Sequence, residues 1–225
     1  MKNMINTALI TGGAKRIGAG VAKILAANGF KLAIHYNKSR KQANELCSEL
    51  NSKRKIAFPV GGNLQNEKDV ENIFFEAKKK LGKIFCLINN ASTFEYDNLS
   101  SFNNDFWEKH LFVNLKAPVL LCKLFKKNLP SKYNGKIINI IDQRVFNLTP
   151  HFLSYTLSKS GLWTLTKTLA LDLAPNITVN AIGPGPTLKS KFQTKKQFEN
   201  QCKNMPLKVG TTTQEIGKTV LFFIK

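Results

Sequence analysis

The run TALITGGAKRIGAG, which opens at Thr7, constrains this chain most: a short β-rich segment passes directly into a glycine-rich turn and then into an amphipathic pattern. Gly12, Gly13, Gly18 and Gly20 punctuate the turn, while Ile17, Val21, Ile24 and Leu25 recur at helical spacing. Glycines let a backbone approach a pyrophosphate closely, and the free N–H groups and dipole of a helix start favour its negative charge. A plain tight turn can look the same. The weight comes from its position after the first strand of a strand–helix–strand succession.

That succession runs on through KLAIHY, KIAFPV, KIFCLI, GKIINII and ITVNAI. Helical patterns are predicted between them over 17–28, 39–52 and 66–81, in two stretches after KIFCLI, and over 154–173. A polar loop is predicted after ITVNAI, and a last helix over 213–224 opens with Thr, Gln and Glu in the manner of a capped start. Continuous apolar strands alternating with helices predict an α/β fold, a Rossmann-type doubly wound parallel sheet with helices on both faces. With 225 residues, 43% of them hydrophobic, the chain suits one dinucleotide-binding domain over 1–225. No stretch approaches the roughly 20 apolar residues of a membrane helix, and the N-terminus turns polar before a secretory segment could form. A cytoplasmic protein with no membrane partner is expected.

The 34 basic residues outnumber the 14 acidic ones, for a net charge of +20, which raises nucleic acid as a partner. Four of those basic residues are Arg and the rest Lys, scattered along the chain with one short run at Lys78 to Lys80. A phosphate-reading surface would use Arg forks as well as Lys. The excess therefore reads as the bias of an A/T-rich coding sequence, not as a nucleic-acid footprint. Cys47, Cys86, Cys122 and Cys202 lie far apart with no CxxC pair or clustered His, so neither a metal site nor a disulfide framework is expected. Cys86, inside an apolar run, reads as a small buried hydrophobe.

At the end of the second strand, where a site for NAD would offer an acid to the ribose hydroxyls, the chain reads HYNKSR, with no acid from His35 to Gln42. Lys38, Ser39 and Arg40 instead supply two cations and a hydroxyl, and Arg16 in the first turn can approach from the other side. This points to the extra phosphate of NADP. Further on, YTLSK puts Tyr155 and Lys159 four residues apart on one helical face, where an ammonium is expected to stabilise phenolate and lower the tyrosine pKa.

TGGAKRIG, NNAS at Asn89 to Ser92, Asn114 in FVNLKAP, YTLSK and GPGPT together resemble the short-chain dehydrogenases/reductases, in order and over nearly the whole chain. The resemblance implies that Tyr155 donates a proton, Lys159 tunes it and holds the nicotinamide ribose, and Asn114 helps hold a proton-relay water. It also implies NADPH contacts at Gly12, Arg16, Ile17, Gly18, His35, Lys38, Ser39, Arg40, Asn63, Leu64, Asn90, Ala91, Ser92, Pro184 and Gly185. His35 is read as lining the adenosine pocket. Asn63 stands where the family usually has Asp beside the adenine, a mild change because an amide still makes hydrogen bonds. Asp142, thirteen residues before Tyr155, replaces the family's usual Ser. With TGGAKR, HYNKS and NNASTF, that replacement resembles the pteridine and dihydromonapterin reductases. A carboxyl can form paired hydrogen bonds with the nitrogens of a pterin, where a Ser hydrogen-bonds a carbonyl oxygen. By this resemblance Ser92 touches cofactor and substrate, and Phe94 stacks on the pterin, its alternative being an ordinary core-packed loop aromatic.

His110 and His151 have no partner pattern and read as solvent or packing histidines. Arg144 either closes over the site or caps a loop. Residues 186–206 read as a substrate lid. The family continues past the helix at 213–224 into another strand, so the last strand is expected to be missing here, which would leave an edge exposed. The family's subunits associate, implying a homo-oligomer, a tetramer or dimer. The expected activity is NADPH-dependent reduction of a dihydropterin, dihydromonapterin or dihydrofolate. The rivals are a carbonyl or 3-oxoacyl thioester reductase and a non-catalytic NADP-binding protein.

Overall fold

The apolar alternation of the strands decides the layering. In TALI (β1, Thr7–Ile10), Ala8 and Ile10 point to one face of the sheet and Leu9 to the other, and every residue is buried. A strand buried on both sides needs a cover on both. The computed structural model describes residues 6–225 and provides it. Six parallel strands, β1, β2 (Lys31–Tyr36), β3 (Ala57–Gly61), β4 (Cys86–Asn89), β5 (Gly135–Ile140) and β6 (Ile177–Ile182), lie in the order β3-β2-β1-β4-β5-β6.

On one face, α1 (Arg16–Ala27), α2 (Arg40–Leu50) and a C-terminal helix cover Ala8, Ile10, Leu32, Ile34, Ile88, Ile138 and Ile140. On the other, α3 (Glu67–Leu81) and α5 (Ala117–Asn128), the latter preceded by α4 (Asn104–Leu111), cover Leu9, Ala33, Val60, Leu87, Ile137 and Val179. Beside them runs α6 (Leu153–Asp172), packed on β5 and β6. Each fully buried Leu or Ile contributes about 1.5–3 kcal/mol, so these two layers outweigh any surface ion pair.

Local signals set the helix ends. The Asn66 side chain accepts from the Asp69 N–H to start α3, with acids in its first turn and Lys78 to Lys80 in its last. The helix expected at 213–224 is α8 in this structure (Thr213–Ile224), and Thr212 and Glu215 form a capping box at its start. It crosses α1 where Gly20 and Gly217 meet: a Cβ on Gly20 would stand 2.5 Å from that of Thr213, and one on Gly217 would stand 2.7 Å from Ile24 Cγ1. Among the described residues no strand follows α8, and β3 and β6 are the sheet edges.

One expectation is corrected. The polar stretch after ITVNAI is not all loop: α7 (Lys195–Lys203) lies within it, held by a Thr194–Gln197 capping box, although it buries no residue. With Phe198 and Cys202 its only apolar positions, α7 gives a periodic signal too short to read.

Candidate active site

The carboxyl ends of β1 and β4, neighbours although far apart in sequence, form the crevice of a doubly wound sheet where its strand order reverses. The glycine turn sits there, tied from three sides. The Gly13 N–H donates to the His35 carbonyl at 2.9 Å and the Gly12 N–H to His35 Nδ1 at 3.0 Å. Asn90 Nδ2 donates to the carbonyls of Thr11 and Gly12 at 2.9 and 3.1 Å, and Thr11 Oγ1 accepts the N–H groups of Asn90 and Ala91. Helix and turn approach so closely at Gly18 that a Cβ there would lie 2.4 Å from the Gly12 oxygen.

No side chain caps α1, and its first turn holds no acid, so its leading N–H groups face outward as an anion-binding end. Lys38 and Arg40 are exposed and, among the described residues, in no salt bridge; Ser39, at the start of α2, makes no capping bond. This donor set fits a dinucleotide carrying an extra phosphate. Asn63 accepts from the Gln65 N–H and, at 3.4 Å, from Asn37, while Leu64 is buried. The half-buried Ile17 packs against the core. Pro184 accepts the Gln143 N–H, and Gly185 lies against the Gln143 side chain.

His35 is 2% exposed and lies beneath the turn; both ring nitrogens are engaged, Nδ1 by Gly12 and Nε2 by the Gly62 carbonyl at 3.1 Å. Burial pushes its pKa down to about 4, so it stays neutral and accepts through Nδ1. Arg16, with φ of +53°, reaches across to donate to the carbonyls of Leu188 and Lys189, linking the turn to the segment after β6.

Asp142 lies just past β5, and α6 presents Tyr155 and Lys159 to it. The Tyr155 hydroxyl donates to Asp142 Oδ2 at 2.8 Å, Asp142 Oδ1 accepts the Arg144 N–H at 2.9 Å, and Lys159 Nζ donates to the Ile140 carbonyl at 2.8 Å. Burial lowers the Lys159 pKa to about 8, against an upward pull from Asp142. The Tyr155 phenol is pushed well above its ordinary value, first by burial and then by the Asp142 carboxylate; Arg144 and Ser92 pull weakly the other way. This corrects the expectation of a phenol lowered by Lys159: the adjacent carboxylate and the loss of water dominate, and the proton stays on the oxygen.

Asn114 is fully buried in a π-helical turn, Phe112–Lys116, between α4 and α5. Its amide accepts the Thr93 N–H at 2.8 Å and donates to the Thr93 carbonyl and to Ser158 Oγ, bracing the loop that carries the exposed Ser92. On that loop Phe94 stacks face to face on Phe152, centroids 4.4 Å apart and 9° from parallel, and meets Tyr155 and Phe192 edge-on. Arg144 lays its guanidinium 4.7 Å over Phe152 and donates to Thr149 Oγ1, so it both caps its loop and borders the site.

Phe152 and Phe192 were not foreseen. The signal for Phe152 was its place three residues before Tyr155, one helical turn away; Phe192 stood as a lone aromatic in the polar stretch after ITVNAI. Of the two roles read for His110, solvent or packing, the structure gives the second: it is fully buried, with partners on both ring nitrogens. His151 is exposed and pairs with the Tyr96 hydroxyl.

A glycine-turn crevice with Asn114, Tyr155 and Lys159 converging beside it defines a class, and residues 6–201 match the family model of the short chain dehydrogenases, so the chain belongs to that family of oxidoreductases. A 3-oxoacyl-acyl-carrier-protein reductase of Synechocystis sp. is 31% identical over 179 residues, 79% of this chain and 72% of the relative. More similar still are two solved structures. FolM alternative dihydrofolate reductase 1 from Brucella canis, complexed with NADP, is 42% identical with a TM-score of 0.95, covering 100% of this chain and 90% of that one. Its counterpart from Brucella suis, also with NADP, is 43% identical with a TM-score of 0.94, covering 98% and 89%.

Proposed function

We propose that this chain is an NADPH-dependent reductase of a dihydropterin, in the wider sense that includes dihydromonapterin and dihydrofolate. The observation that carries the reading is the 2.8 Å hydrogen bond from Tyr155 to Asp142, a carboxylate where the family's usual hydroxyl would be. The likeness to two dihydrofolate reductases crystallised with NADP supports it.

When bound, the nicotinamide supplies a hydride. The outward N–H groups of α1 would hold the pyrophosphate, with Lys38, Ser39 and Arg40 on the extra phosphate and Lys159 and Asn90 toward the nicotinamide ribose. Reducing a C=N bond adds hydride to carbon and a proton to nitrogen. Tyr155 holds that proton at neutral pH, and Asp142, bonded to the same hydroxyl, passes a proton in from water and pairs with the ring and amino nitrogens. Phe94 offers its ring to the pterin plane, and Phe152 backs it. The reading includes a cytoplasmic homo-oligomer, to which the exposed Leu157 and Leu171 on α6 lend an apolar face; no described helix is long and apolar enough to cross a membrane.

The test follows NADPH oxidation by the purified chain with 7,8-dihydropterin, dihydrofolate and an acetoacetyl thioester side by side. Turnover confined to the first two is expected. Turnover of the thioester alone would overturn the reading in favour of a 3-oxoacyl reductase, as the Synechocystis relative is named.

Cofactor choice gives a separate expectation. Replacing Lys38 and Arg40 together by Ala removes two cations from the extra phosphate, each charge-assisted contact contributing about 1.5–3 kcal/mol. The KM for NADPH should rise by about 100-fold or more while that for NADH barely moves. Equal changes in both would remove the assignment of these side chains to the phosphate.

A further inference from the structure

Three titratable or hydroxyl side chains outside the Asp142–Tyr155–Lys159 group are completely buried and bonded to one another: Asp97, His110 and Ser154. Asp97 takes the leading amides of α6. Its carbonyl accepts the N–H groups of Phe152 and Leu153 at 2.7 and 3.3 Å, and its carboxylate accepts the Ser154 N–H and the Ser154 hydroxyl. No side chain from the helix's own cap position does this, because the cap residue is Phe152, held at φ of +59°. A loop residue far back in the sequence therefore caps the helix that carries Tyr155, and its negative charge sits where the helix dipole favours it.

The protons in this group have one arrangement. The Glu95 N–H donates to His110 Nε2 at 3.0 Å, so that nitrogen carries no hydrogen. The neutral ring then has its proton on Nδ1 and donates to Ser154 Oγ at 2.7 Å, and the Ser154 proton goes to Asp97. Every member is satisfied, in a setting where leaving one unpaired costs most. The order is wrong for a hydrolytic Ser–His–Asp triad, since the hydroxyl donates to the carboxylate and not to the imidazole, and none of the three faces solvent.

What the chain of bonds joins is functional. Glu95 follows Phe94, Ser154 precedes Tyr155, and His110 lies on α4, which runs into the π-turn holding Asn114. The His110 ring meets the Tyr155 ring edge-on at 5.9 Å. We propose that Asp97, Ser154 and His110 are positioning residues for the reduction, fixing the Tyr155 hydroxyl and the Phe94 ring against each other in the geometry the substrate requires. The inference rests on the reductase reading but not on the identity of the substrate.

The test uses the full chain with whichever of the three substrates above it reduces, comparing wild type with Ser154→Ala and His110→Phe. Ser154→Ala removes the central hydroxyl; His110→Phe keeps an aromatic edge against Tyr155 and removes both hydrogen bonds. The readouts are the single-turnover rate of NADPH oxidation per cofactor-binding site, the NADPH Kd from cofactor fluorescence, and Tm. Both variants are expected to lose about 10- to 100-fold in rate per site, the scale of a small misplacement of reacting groups. The NADPH Kd should stay within about twofold, because the phosphate turn lies on other elements. A lowered Tm with an unchanged rate per site would overturn the proposal, leaving a purely structural network. Turnover of the thioester alone would overturn the pterin reading and leave this comparison in force; no turnover on any substrate would overturn both.

Discussion

Replacing Tyr155 with Phe is expected to lower turnover by about 10²–10⁴-fold, the usual contribution of a positioned proton donor, with the NADPH Kd nearly unchanged. The substitution removes one oxygen and little else: the ring keeps its edge contacts with Phe94 and His110. Burial and the Asp142 carboxylate hold the phenol proton in place across the neutral range, so the alkaline limit of activity should not come from Tyr155. It should come from Lys159. Its pKa lies near 8, below the ordinary lysine value, so its ammonium form dominates below that pH and is lost as pH rises through it. Activity should therefore fall above about pH 8, in a profile measured with NADPH saturating at each pH. Tyr155→Phe retaining more than about a tenth of wild-type turnover would remove Tyr155 as the donor.

The parallel sheet with helices on both faces was legible because each strand carries a continuous apolar run and the covering helices an apolar stripe; Leu9 against Ala8 and Ile10 is the pattern in miniature. Tyr155 and Lys159 were legible because their spacing puts them on one helical face, and Asp142 through the family resemblance, in which a Ser usually stands at its place. What escaped were the contacts between distant segments. Asp97 and Ser154 are 57 residues apart, His110 and Ser154 are 44 apart, and Arg16 lies 172 residues from Leu188, so no periodicity could connect them. The Tyr155 pKa was misread for the same reason. Local spacing showed the cation four residues away, but only the fold shows that its ammonium turns to the Ile140 carbonyl while the Asp142 carboxylate meets the phenol. The backbone contacts of His35 were out of reach of local spacing as well, both its ring nitrogens being used to hold distant backbone.

Asp142→Ser should abolish dihydropterin reduction, with a loss of about 100-fold or more, while NADPH binding remains within about twofold. Two roles of Asp142 have to be separated. Its Oδ1 caps the short 3-10 turn Gln143–Val145 by accepting the Arg144 N–H, and a serine hydroxyl can accept that bond as well, so the local backbone should survive. What serine cannot do is accept from the phenol while pairing with two nitrogens of a pterin, because it has one oxygen where the carboxylate has two. Removing the negative charge also removes one of the influences that raise the Tyr155 pKa, so the phenol should titrate lower in the variant than in wild type. Asp142→Asn supplies the control: it keeps the shape and an acceptor but has no proton to exchange, and it should fail on the pterin as serine does. If either variant reduces dihydropterin at the wild-type rate, the carboxylate takes no part in proton delivery, and the hydrogen bond between Tyr155 and Asp142 is only a resting contact.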